Sequence, residues 1–154
     1  MIEQFWPVMV SAMLPISELR GSIPLGILVL NLNPLATILV SIVFNMLVFF
    51  PVYIALHLLY HRFFERFGWA RGIIERIHRK GKPFMEKYEL IGLVIFVGIP
   101  LPFTGAWTGT GIAWLFGLNW KNSFLAIALG VLMAAAIVSV VVLGGLTMLN
   151  VFVV

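Results

Sequence analysis

The chain has 154 residues, no cysteine, 62% hydrophobic residues and 10% charged ones. Soluble domains carry about 25% charged residues, so this chain has too little charge to coat a globule in water, and a bilayer suits it as solvent. Disorder, a disulfide-stapled secreted domain, a coiled coil and a soluble enzyme are all poor fits, and the length fits one domain, residues 1–154.

In chain order, residues 4–14 form a first apolar run. No basic region precedes it and Glu3 comes early, so it does not read as a removable signal peptide. The run is broken by Pro15-Ile-Ser-Glu-Leu-Arg-Gly-Ser-Ile-Pro24, after which Leu25–Leu32 is apolar again. Residues 34–59 follow, long enough to cross a hydrocarbon core that needs about 20 residues. Pro51 is expected to kink this helix without ending it.

Residues 60–90 carry most of the charge. Arg62, Arg66, Arg71, Arg76, Arg79, Lys80, Lys82 and Lys87 lie there, with Glu65, Glu75, Glu86 and Glu89 among them. A basic loop between apolar halves is the positive-inside signature, which places this connector in the cytoplasm. The interspersed glutamates and the flanking spans favour this over nucleic-acid binding. Phe63, Phe67, Ile73, Ile74 and Ile77 recur at helical spacing between the cations, as in an amphipathic helix lying in the headgroup region. Gly68 and Gly72 are expected to interrupt it, and Gly81 and Pro83 to end it.

The second half repeats the pattern of the first. Residues 90–99 are apolar, Pro100-Leu-Pro-Phe-Thr-Gly-Ala-Trp-Thr-Gly109 breaks the run, Ile112–Leu118 is largely apolar, and residues 122–148 form a second full span. A ten-residue helix rises only ~15 Å, about half the hydrocarbon thickness. Each broken segment is therefore a kinked span or a re-entrant hairpin with its tip near the midplane. Lys121 favours the hairpin, which would keep it on the cytoplasmic side with the other cations. Irregular backbone at that depth must be buried in protein or face a wet cavity, so two such hairpins would meet each other or a partner subunit.

A shift of 85 residues superposes the landmarks: Pro15 on Pro100, Gly26-Ile27 on Gly111-Ile112, Leu30 on Leu115 and Asn45 on Gly130. If each half crosses once, the two halves have opposite orientation, an arrangement common in secondary transporters with the site between broken helices. The expected architecture is an all-α integral membrane protein of two inverted repeats. Residues 1–59 form repeat one, 60–89 the cytoplasmic connector and 90–154 repeat two. Within the spans, Thr37, Ser41 and Asn45 lie four apart, as do Ala126, Gly130 and Ala134. Both stripes read as close-packing interfaces, with Asn45 also able to line a pathway.

Glu18 and Arg20 are the informative pair, because an ionisable residue inside a membrane segment is costly and marks function by default. A helix restarting near Ile23, with Pro24 in its first turn, would aim N–H groups at the same point and complete an anion site with Arg20. Glu18 is then the counter-ion of Arg20 or a carrier of protons; the alternative is a structural salt bridge that locks the loop. In the second break, Thr104, Thr108 and Thr110 offer hydroxyls, and Gly105, Gly109 and Gly111 permit tight turns and close approach. Trp107 and Trp114 wall a site or sit at an interface. The expected substrate-binding set is Glu18, Arg20, Ser22, Asn45, Thr104, Thr108 and Trp107.

No P-loop, HExxH or GxSxG motif is present, and the lack of cysteine excludes thiolate chemistry, so the chain reads as neither an enzyme nor a metalloprotein. His57, His61 and His78 lack a carboxylate cluster and read as interface residues. No cofactor is expected.

Glu18-Leu-Arg-Gly-Ser-Ile-Pro24-Leu-Gly26, followed by Pro100-Leu-Pro-Phe-Thr-Gly-Ala-Trp-Thr-Gly109, resembles the putative small multi-drug export protein family over almost the whole chain. The resemblance implies a multi-pass transporter of the cell membrane that exports small molecules. The layout of two re-entrant loops also resembles, in architecture, the DedA-type membrane proteins, which implies a lipid-phosphate translocase, although this chain has no second intramembrane arginine. A non-transporting scaffold is the rival from another class. The partners expected are membrane lipid, a small-molecule or lipid-phosphate substrate, and a second copy in a homodimer, which would bury the hairpins; nucleic acid is not expected.

Overall fold

A computed structural model describes residues 3–62, 86–101 and 103–153 of the chain. The expected amphipathic helix of the connector, with its glycines, lies outside the described residues. Among the described residues every regular element is helical. A 3-10 turn, Glu3–Phe5, leads into α1 (Trp6–Met13), α2 (Glu18–Pro24) with a π-turn at Leu25–Val29, α3 (Pro34–Leu47), α4 (Phe49–Arg62), α5 (Glu86–Gly98), α6 (Ala106–Leu115) and α7 (Trp120–Val153).

Two helical stretches, Pro34–Leu59 and Trp120–Leu146, are long and apolar enough to cross a membrane. Their outward faces carry exposed Leu35, Leu39 and Val43 on the first, and Leu125, Leu129, Val140 and Val141 on the second. Helices apolar on both faces are stable only where the surroundings are also apolar. Asn33 caps the first stretch, its carboxamide oxygen accepting from the Ala36 N–H at 3.1 Å, with Pro34 following at the first helical position. The kink expected at Pro51 falls at Val48, between α3 and α4. The cause is local: a proline ring collides with the carbonyl one turn upstream, so the disturbance precedes the proline.

Both broken segments double back as hairpins. In a straight helix Val8 and Gly26 would be about 27 Å apart. Instead, a Cβ built on Gly26 would lie 3.0 Å from Val8 Cγ2, and the hydroxyls of Ser11 and Ser17 meet at 2.5 Å across the turn. In the second segment a Cβ on Gly109 would stand 2.6 Å from Val97 Cγ2 and 3.6 Å from Leu93 Cδ1. The helix restart expected near Ile23 comes at Glu18, whose backbone is left-handed at φ 45°. Pro24 therefore lies inside a continuous helical run, at the junction of α2 with the π-turn, where its missing N–H removes one intrahelical hydrogen bond.

The first arm of each hairpin runs parallel to the long helix of its own half. Asn45 Nδ2 donates to the Ala12 carbonyl at 2.9 Å, and Thr37 meets Gly26 beside Val8. In the second half, a Cβ on Gly130 would lie 2.9 Å from the Val94 carbonyl and 2.7 Å from Val97 Cβ, while Gly98 abuts Met133. The two long helices run antiparallel to each other: Asn45 shares a cavity with Val131 and Ala134, whereas the rings of Phe49 and Phe50 each lie 5.3 Å from that of Phe124, one edge-on and one tilted. Both small-residue stripes are buried, Thr37, Ser41 and Asn45 on α3 and Ala126, Gly130 and Ala134 on α7. Left-handed residues also recur at matching places, Glu18 and Phe103 at the two tips and Asn31 and Gly117 at the two exits.

Candidate functional site

The two hairpin tips meet, and Glu18 is the point of contact. Its carboxylate is 4% exposed. Oε2 pairs with Arg20 Nη2 at 3.1 Å, and Oε1 accepts the backbone N–H of Trp107 at 3.3 Å. Arg20 Nη2 also donates to the Thr104 carbonyl. One arginine thus holds the carboxylate of its own hairpin and the backbone of the other. Charge-assisted bonds of this kind are about twice as strong as neutral ones.

The helix N-terminus facing the pair belongs to α6, not to α2 as expected. The first N–H groups of α2 are turned to its own loop, Glu18 N–H to Leu14 and Gly21 N–H to Ser17. α6 turns its positive dipole end toward Glu18, and of its first N–H groups that of Trp107 donates to the carboxylate. The anion seated between Arg20 and a helix N-terminus is therefore the protein's own carboxylate.

Gly105 makes this approach possible. A Cβ there would lie 1.7 Å from Glu18 Oε2 and 2.4 Å from its Cδ. Thr104 Oγ1 donates to the Ile99 and Leu101 carbonyls at 2.6 and 2.8 Å, fixing the loop that offers its own carbonyl to Arg20. Trp107 ties the tips a second time, its indole N–H donating to the Met13 carbonyl at 2.9 Å.

Of the expected site residues, Glu18, Arg20, Thr104 and Trp107 come together, and Asn45 lines the same cavity while its amide is spent on Ala12. Thr108 is exposed and accepts from the Gly105 N–H at 3.2 Å, so it caps α6 and does not reach the carboxylate. Ser22 is fully buried one turn beyond Glu18 and does not line the cavity. Thr110 bonds within its own helix to Ala106 at 2.5 Å. Leu19, Gly105, Val97, Pro100, Val131 and Ala134 complete the lining. Glycine is visible in sequence as a turn former, but its role as space for a carboxylate 87 positions away is not.

The cavity at the pair holds about 10 Å³, room for one water at most. The site is closed, and anything larger must part the tips. Among the described residues no cluster of His, Asp or Glu could hold a metal ion.

Buried charge between broken helices, enclosed by apolar helices of spanning length, defines a helical membrane protein. The chain belongs to the family described as putative small multi-drug export protein, whose model matches residues 18–137 and so covers both tips. No curated protein and no solved structure matches the chain.

Proposed function

We propose that this protein exports a small anionic molecule through a site at the membrane midplane, with Arg20 as the anion-binding group and Glu18 as its exchangeable partner. The observation that carries this reading is the position of the pair. It lies beside Asn45 and Val131, each the twelfth residue of its apolar stretch, near the middle of both. On this reading the hairpins are re-entrant and enter from opposite faces, and the two halves are inverted repeats. Three directions support it: each first arm parallel to its own long helix, the long helices antiparallel, and the tips in contact. The connector and Lys121 then share the cytoplasmic side, and both ends of the described chain lie outside.

An arginine in the membrane core, even with a fifth of its side chain exposed, needs something anionic to face it. In the closed site that is Glu18. An arriving anion takes over Arg20, frees the Glu18 carboxylate to take a proton, and breaks the contact through which the tips hold each other. Binding, protonation and opening are then one event, so anion and proton leave together and the outward gradient of the anion drives export. The rival reading, a scaffold with the pair as structural glue, makes no use of a bridge between two hairpins that must separate.

The test is flux in proteoliposomes with a panel of drugs and lipid phosphates, with and without a pH gradient. The expected result is pH-driven transport of an anionic member of the panel. Arg20→Lys should impair it, because lysine lacks the forked donor set, and Glu18→Gln should bind substrate but lose the response to the gradient. A protein that folds with the charge-swapped pair Glu18→Arg/Arg20→Glu and shows no flux in its native form is a scaffold.

A further inference from the structure

Three buried hydroxyls lie between the Glu18–Arg20 pair and the end of the membrane core at which α3 begins. Ser22, Thr37 and Ser41 are each 0% exposed, and Ser22 Oγ, Thr37 Oγ1 and Ser41 Oγ have no hydrogen-bond partner. Serine and threonine inside helices ordinarily return their hydroxyls to the carbonyl one turn back. An unpaired buried hydroxyl is costly, and three together call for an explanation.

The register of α2 on α3 lines them up. Glu18 and Asn45 share the cavity at the tips, and Gly26 meets Thr37 at the other end. Eight residues separate each pair along antiparallel elements, so Ser22 falls opposite Ser41, midway. The order from the pair outward is Glu18 with Asn45, Ser22 with Ser41, and Gly26 with Thr37, which is the fourth residue of α3.

We propose that Thr37, Ser41 and Ser22 form a proton path joining Glu18 to the membrane face at which α3 begins. This rests on the proposed exporter only for its purpose: an outer proton reaching Glu18 would release the tips. Hydroxyls one helical turn apart are separated by about 6 Å, so each transfer requires one water to enter between them. Each hydroxyl accepts a proton on its oxygen and passes its own to the next group, so no charge stays behind. The last transfer neutralises the Glu18 carboxylate. Arg20 cannot relay, having no lone pair to accept a proton.

The groups facing Glu18 leave no competing titratable acceptor among the described residues. Its own helix offers Leu19, Arg20 and, one turn on and outside the cavity, Ser22; α3 offers Asn45, α5 and its loop offer Val97 and Pro100, the second tip offers Thr104, Gly105 and the Trp107 N–H, and α7 offers Val131 and Ala134. Of these only Arg20 is charged.

The test reads Glu18 directly, without any substrate. In uniformly oriented proteoliposomes, infrared difference spectra after a drop in pH should show a protonated carboxyl band that Glu18→Gln abolishes. Acid applied at the face where α3 begins should raise the band. Ser22→Ala, Ser41→Ala and Thr37→Val should each slow its rise by about a hundredfold, while Thr37→Ser should keep the native rate. All four remove or retain a hydroxyl without unpairing another group, so folding should survive. Native rates in all three hydroxyl-free variants would overturn the path, as would protonation from the opposite face alone or a band change driven by sodium at constant pH. Absence of drug flux would overturn the exporter and leave this result standing.

Discussion

Glu18 and Gly105, on different hairpins, approach so closely that a Cβ on Gly105 would stand 1.7 Å from the Glu18 carboxylate oxygen Oε2. Gly105→Ala should therefore push the carboxylate out of its seat and part the tips. The expected outcome is a folded protein with a lower melting temperature in detergent and faster labelling of cysteines placed at the tips. Unchanged stability and labelling would show that the seat tolerates a methyl group.

Arg20 is the larger dependency. Arg20→Ala leaves a buried carboxylate with only the Trp107 N–H, and loss of one partner of a buried pair costs about 3–5 kcal/mol. Denaturation in detergent should show a loss in that range. Glu18→Gln with Arg20→Met should recover most of it, since removing both charges removes the unpaired one. Equal losses in the single and double variants would mean that packing, not charge, holds the tips.

Gly130 tests the close approach of α5 and α7. Its nearest neighbours include a backbone carbonyl, that of Val94, which cannot rotate away. Gly130→Ala should cost about 1–3 kcal/mol by overpacking, and Gly130→Leu more. Val141→Leu, at a position 68% exposed on the outward face, should be neutral. Thermal unfolding in one detergent gives the comparison.

Asn45 ties α3 to the first hairpin through the Ala12 carbonyl. Asn45→Ala should cost about 1 kcal/mol, the scale of an interhelical hydrogen bond in a membrane protein. A much larger loss would mean that the amide also supports the Glu18–Arg20 pair.

Much of this arrangement is legible in the sequence, because apolar length and proline placement act locally. The two long stretches follow from hydropathy, and the breaks from Pro15, Pro100 and the glycines. The spacing of 85 residues that places Asn45 on Gly130 also places Ala12 on Val97, and Asn45 contacts Ala12 as Gly130 contacts Val97. Glu18 and Arg20 stand out because charge in an apolar segment is rare. What escapes a linear reading depends on the other half of the chain. The restart at Glu18 needs a left-handed residue, which the carboxylate's partners across the tips hold in place. Pro24 looks like a helix start and lies inside a helical run. Thr108 and Thr104 are the same residue type four apart, and only the turn of the loop decides that one caps a helix while the other presents a carbonyl to Arg20.

The proposed site requires the hairpins to enter from opposite faces and meet at midplane. Cysteine accessibility tests it most directly, since the native chain has no cysteine. Single variants Asn33→Cys, Lys80→Cys and Lys121→Cys are labelled with an impermeant thiol reagent in intact cells. Opposed hairpins give labelling of Asn33→Cys from outside, and of Lys80→Cys and Lys121→Cys only after the membrane is opened. Labelling of Lys121→Cys from outside would make the second broken segment a full crossing and contradict the opposed hairpins.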